Sequence, residues 1–74
     1  MKRLVVLGST GSLGVKTLEV ARKQGFSIVG LAAHSNVTLL EEQIRQFHPK
    51  TAAVFDKTAA ADLRVRVRDL SIEI

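Results

Sequence analysis

The chain has 74 residues, a net charge of +4 from 11 Lys and Arg against 7 Asp and Glu, and no cysteine. That length is half of an ordinary domain or one small domain, and the lack of thiols excludes disulfides and thiolate metal sites. Its basic residues are scattered apart from Arg64, Arg66 and Arg68, and it has no Tyr or Trp to stack on bases, so nothing points to nucleic acid.

Arg3 to Leu7 is a near-continuous apolar run and reads as a strand buried on both faces of a parallel sheet. The Met1-Lys2-Arg3 segment is basic through Lys2 and Arg3, but the run stops at Gly8, too soon for a signal-peptide core. No stretch approaches the length of a membrane span, and a soluble cytoplasmic protein is the expectation. Gly8-Ser9-Thr10-Gly11-Ser12-Leu13-Gly14 follows the strand. Its Gly-x-x-Gly-x-x-Gly spacing is one residue off the dinucleotide fingerprint. A glycine-rich turn between a strand and a helix lets backbone approach a pyrophosphate and aims free N–H groups and the helix dipole at it. A purely structural strand–helix connection is the competing reading.

Ser12 to Gln24 reads as a helix. Leu13, Thr17, Val20 and Ala21 form its expected inward face, and Gly25 its left-handed C-terminal cap. Ser27 to Ala33 is a second strand. A second helix is expected from about Thr38 to Phe47, opened by a Thr38 to Glu41 capping box or by Asn36. Leu40, Ile44 and Phe47 should face the sheet, and Pro49 should stop the helix and push His48 out of helical backbone. Thr51 to Phe55 is a third strand. Thr58 to about Arg68 is a third helix capped by Thr58, although Val65 and Val67 also alternate with arginines at strand period. Leu70 to Ile74 reads as a fourth strand. The alternation predicts an α/β, Rossmann-type parallel sheet of βαβ units with right-handed crossovers. It is incomplete, about the first half of a dinucleotide-binding domain, with an open edge and bare apolar surface.

Dinucleotide folds that bind NAD commonly end the second strand in an acid that bonds the ribose hydroxyls. Here Ala33 is followed by His34, Ser35 and Asn36. A carboxylate would repel a 2′-phosphate, whereas these side chains can donate to one, so the loop favours NADP over NAD. Asn36 as a plain helix cap is the bland alternative. His48 reads as solvated, and Arg64, Arg66 and Arg68 as a solvent-facing stripe. The acids Glu19, Glu41, Glu42, Asp56, Asp62, Asp69 and Glu73 fall at outward positions or turns, and no catalytic constellation emerges.

Gly8 to Gly14, Thr17 to Val20, Leu31 to Val37, Gln43 and Phe47 to Lys50 together resemble the N-terminus of 1-deoxy-D-xylulose 5-phosphate reductoisomerases. The resemblance runs along nearly the whole chain. It implies an NADPH-dependent enzyme of the non-mevalonate isoprenoid pathway that converts 1-deoxy-D-xylulose 5-phosphate to 2-C-methyl-D-erythritol 4-phosphate. It also implies a homodimer and a divalent metal, Mg²⁺ or Mn²⁺, held by residues beyond this chain. Carried over, Thr10, Gly11, Ser12 and Leu13 would contact the cofactor phosphates, and His34, Ser35 and Asn36 the adenosine ribose and 2′-phosphate. Family members often carry Gly and a basic residue where His34 and Ser35 stand here. A 74-residue piece alone is then expected to be inactive, with the catalytic and C-terminal domains elsewhere. Two alternatives stay open. An extended short-chain dehydrogenase or epimerase shares the turn but would need a Tyr. A stand-alone nucleotide-binding or interaction module would bind without chemistry.

Overall fold

The computed structural model describes residues 2–74. Strands β1 (Arg3–Leu7), β2 (Ser27–Ala33) and β3 (Thr51–Val54) alternate with helices α1 (Ser12–Gln24), α2 (Val37–Phe47) and α3 (Lys57–Arg66). The strands pair in parallel in the order β1-β2-β3. Every crossover therefore moves in one direction across the sheet, and right-handed connections put the helices on one face. The slab is only 15 Å thick, the depth of one sheet and one helix layer.

Between these layers lies one core. Val6, Ile28, Leu31, Ala33 and Ala52 from the sheet meet Leu18 and Ala21 of α1, Leu40 and Ile44 of α2, and Leu63 and Val67 around the end of α3. Asn36 caps α2 by accepting from Leu39 N–H at 3.2 Å. His48 ends it in left-handed backbone, φ 51°, and donates to Ile44 O. The capping box at Thr38 does not form because the helix has already begun at Val37.

Several expectations need correction. Leu4 and Val6 point at the helices, but Val5 is 62% and Leu7 78% exposed. A strand of this composition is apolar on both sides, yet the helices all lie on one. In α1 the inward residues are Gly14, Leu18 and Ala21. Leu13 and Val20 are exposed, as is Thr17. They sit about 100° round the helix from the expected phase and line depressions beside Leu4 along the free edge of β1. Asp56, not Thr58, caps α3, accepting from Ala59 N–H at 2.8 Å. The third helix stops at Arg66, and β3 stops at Val54.

Leu70 to Ile74 forms no strand among the described residues. Glu73 makes one parallel bridge to Thr51, with Ala52 N–H donating to Glu73 O and Glu73 N–H to Lys50 O. Among the described residues this ladder has a single rung, laid along the outer edge of β3. Arg66 also leaves the expected solvent stripe. Its guanidinium bonds Glu41 on α2 and Asp62 on its own helix, while Arg45 bridges Glu41 and Asp69. Arg45, more than Arg66, holds the Glu41 carboxyl below its ordinary value, and Arg45 does the same to Asp69.

Candidate functional site

The turn after β1 is fixed from four directions. Gly8 takes φ 68°, a left-handed conformation that side chains disfavour. Gly11 N–H closes the turn onto Gly8 O at 3.0 Å, and Ser9 N–H bonds Ala32 O at 3.0 Å, tying the turn to the end of β2. Gly14 rests on it from α1: a Cβ there would lie 2.7 Å from Ser9 Cα and closer still to Gly8 O. The fourth anchor is the Gln43 side chain, whose Nε2 donates to Ser9 O at 2.7 Å inside the core.

Gly11 differs from its two partners. Its φ of −77° suits any residue, and a Cβ would meet only Gly8 O, at an ordinary 3.4 Å. Folding thus explains Gly8 and Gly14, whereas the space in front of Gly11 is simply open. Gly11 is also the N-cap of α1, and it offers no side chain to the helix end. Among the described residues, the N–H groups of Thr10, Ser12, Leu13 and Gly14 make no hydrogen bond. No acid stands in the first turn either. The positive end of α1 is left bare, a geometry that suits an anion.

The second loop lies beside it. His34, Ser35 and Asn36 are exposed at the end of β2. Phe55 N–H donates to Ala33 O and Asp56 N–H to His34 O, so this loop is bound to the end of β3. Asn36 spends its side-chain oxygen on the helix cap, which leaves its NH₂ group as a donor. The capping reading holds, and it does not remove Asn36 from ligand contact. His34 shares an open depression of about 240 Å³ with Gly8, Ala32, Ala33 and Phe55. Gly11, Ser12 and Leu13 line a second one, of about 560 Å³, on the β1 side of the turn. Ser35 and Asn36 border neither.

Two residues at this site escaped sequence reasoning. Phe55 is 83% exposed, with its ring 5.6 Å from that of His34. Gln43 is buried at the inward face of α2. A polar residue three positions after Leu40, in phase with the apolar stripe, is the signal that could have found it. Among the described residues no group of three His, Cys, Asp or Glu could hold a metal ion, so the side chains here do not fit a metal centre. No helix among them is long and apolar enough to cross a membrane.

Residues 4–74 match the sequence profile of the family described as 1-deoxy-D-xylulose 5-phosphate reductoisomerase. The protein of that name from Lachnoclostridium phytofermentans is 53% identical over 75 aligned positions, which cover 100% of this chain and 19% of the relative. Its counterpart from Thermodesulfovibrio yellowstonii is 54% identical, covering 97% and 19%. Among solved structures, a DOX-P reductoisomerase in complex with NADPH, fosmidomycin and magnesium superposes with a TM-score of 0.91 and 31% identity, over 100% of this chain and 19% of that one. The Zymomonas mobilis reductoisomerase in complex with NADPH gives 0.89 and 28%, over 97% and 20%. The chain spans about a fifth of the length of these relatives. With its glycine turn, its parallel Rossmann-type sheet and these matches, the chain belongs to the 1-deoxy-D-xylulose 5-phosphate reductoisomerase family.

Proposed function

We propose that residues 1–74 are the N-terminal portion of the NADPH-binding domain of a reductoisomerase that converts 1-deoxy-D-xylulose 5-phosphate to 2-C-methyl-D-erythritol 4-phosphate. The observation that carries this is the bare N-terminus of α1 behind an open Gly11. The free N–H groups of Thr10, Ser12 and Leu13, with the open face of Gly11 before them, take the diphosphate. His34, Ser35 and the NH₂ of Asn36 take the adenosine ribose and its 2′-phosphate, and Phe55 gives the adenine an apolar wall. The acid-free loop admits the 2′-phosphate without repulsion. When bound, NADPH supplies the hydride; this chain orients it. The metal ligands, the substrate-phosphate site and the catalytic groups belong to the remaining four-fifths of a relative's length. That remainder also covers the free edge of β1. The full enzyme works as a cytoplasmic homodimer, as its family resemblance implies.

The test is titration of the native gene product with NADPH and NADH, alongside its intact mass. Tight NADPH binding, weaker NADH binding and a mass several times 8.1 kDa are expected. A mass of 8.1 kDa with nucleotide affinity would leave a binding module without chemistry. No nucleotide binding at all would overturn the assignment.

A further inference from the structure

Among the described residues, Gln43 and Ser9 are the two buried polar ones, 5% and 0% exposed. They meet through one hydrogen bond, Gln43 Nε2 to Ser9 O at 2.7 Å, across 34 positions of sequence. The other end of the Gln43 amide, Oε1, and the Ser9 hydroxyl are both buried without a partner. An amide bonded at one end and orphaned at the other stabilises a fold little, because the unmet acceptor offsets the bond made. Its effect is therefore positional.

The placement shows what is positioned. Gln43 sits two turns along α2 from Asn36, the cap beside the candidate ribose loop. Ser9 is the second residue of the phosphate turn. The other three anchors of that turn are backbone contacts to β2, to α1 and within the turn itself. Gln43 is the one side chain among them, and it comes from the helix that carries the other half of the site. We infer that Gln43 is a positioning residue that locks the diphosphate turn to α2, setting the turn's orientation and its distance from the ribose loop. The inference rests on the NADPH reading above.

The experiment uses the full native gene product, NADPH titration and steady-state kinetics. Gln43→Leu removes the donor and the orphaned acceptor together, at similar volume. Unfolding of the apoprotein should move to modestly lower urea, because Ser9 O loses its partner while the orphaned Oε1 is removed; the Kd and KM for NADPH should rise about fivefold to tenfold while kcat at saturating NADPH moves less. Gln43→Glu adds a readout that a merely structural role would not move. Its protonated carboxyl can donate to Ser9 O and its ionised form cannot, so NADPH affinity, relative to the unsubstituted protein at each pH, should recover as pH falls. Burial raises a carboxyl's pKa, which brings the recovery within the range where the enzyme is folded. Undiminished NADPH affinity in Gln43→Leu would overturn the inference. So would a Gln43→Glu variant whose relative affinity ignores pH. An unsubstituted protein that bound no NADPH would instead overturn the cofactor reading beneath it.

Discussion

Gly11→Ser separates ligand binding from folding at the turn. Gly11 has extended N-cap backbone, φ −77° and ψ 167°, and room for a Cβ. Serine is as good an N-cap as glycine or better, so stability should hold or rise by a few tenths of a kcal/mol. The new hydroxyl would accept from Leu13 or Gly14 N–H, which are the donors held free for the diphosphate. Each hydrogen bond to a charged group contributes about 1.5–3 kcal/mol, so losing one should weaken NADPH binding by about 10- to 100-fold. Gly14→Ala is the contrasting change, one methyl in the same turn. Its Cβ would press on the backbone of Gly8 and Ser9, 2.7 Å from Ser9 Cα. Backbone cannot swing aside as a side chain can. With three backbone atoms in the way, overpacking takes the upper end of its usual range, about 3 kcal/mol, and helix propensity returns up to about 1 kcal/mol, leaving a net loss of about 2 kcal/mol. Urea unfolding and NADPH titration of both variants in the native gene product test the pair. Gly11→Ser with unchanged NADPH affinity, or Gly14→Ala with an unchanged urea midpoint, would refute the division of labour between these glycines.

Phe55→Ala should leave unfolding within about 0.5 kcal/mol, since the ring is exposed. It should weaken NADPH about tenfold while sparing reduced nicotinamide mononucleotide, which lacks the adenine; equal effects on the two ligands would exclude the adenine wall. His48→Gly should raise the unfolding free energy by about 0.5 kcal/mol, read as a higher urea midpoint, because the left-handed backbone at φ 51° strains a residue with a Cβ more than the entropy of glycine costs; a lower midpoint would contradict this. The carboxyls of Glu41 and Asp69 are held below their ordinary values of 4.5 and 3.8 by Arg45. A depressed folded-state pKa contributes stability that is present above the unfolded value and lost as pH falls through the folded one. Acidification below about pH 4.5 should therefore cost more in the unsubstituted protein than in Arg45→Met, and added salt should narrow the gap; parallel pH profiles would show that the network contributes nothing.

Element type was legible along most of the chain because strand and helix periods differ sharply, and α1 and β2 end where their sequences stop repeating. What failed was phase. Hydrophobicity marks Leu13 as inward and says nothing of Gly14, yet only a residue without Cβ can sit so close to Gly8 O. One glycine thus rotates the whole helix and sends Leu13 and Val20 outward. Val5 and Leu7 show a related limit: a strand that is apolar on both sides does not say which side this chain covers. At the site, the turn and His34 to Asn36 were readable as local sequence. Gln43 showed only as a polar residue in phase with the apolar stripe of α2; its partner was not readable, being a backbone carbonyl 34 residues away that every residue type carries.

The two halves of the candidate site depend on different parts of the fold. The turn's conformation comes from β1, α1 and β2, through Gly8, Gly14 and the Ser9 to Ala32 bond. The ribose loop takes its place from α2 and β3, through the Asn36 cap and the bonds from Phe55 and Asp56. A dinucleotide must touch both at once, so their separation matters as much as either shape. The Ala32 bond joins the turn to the strand just before the loop, and the Gln43 bond joins it to the helix just after. With β2 and α2 both fastened to Ser9, the turn can neither tilt nor slide without breaking one of them. The same buried residue whose hydroxyl finds no partner thus holds the backbone register of the whole site.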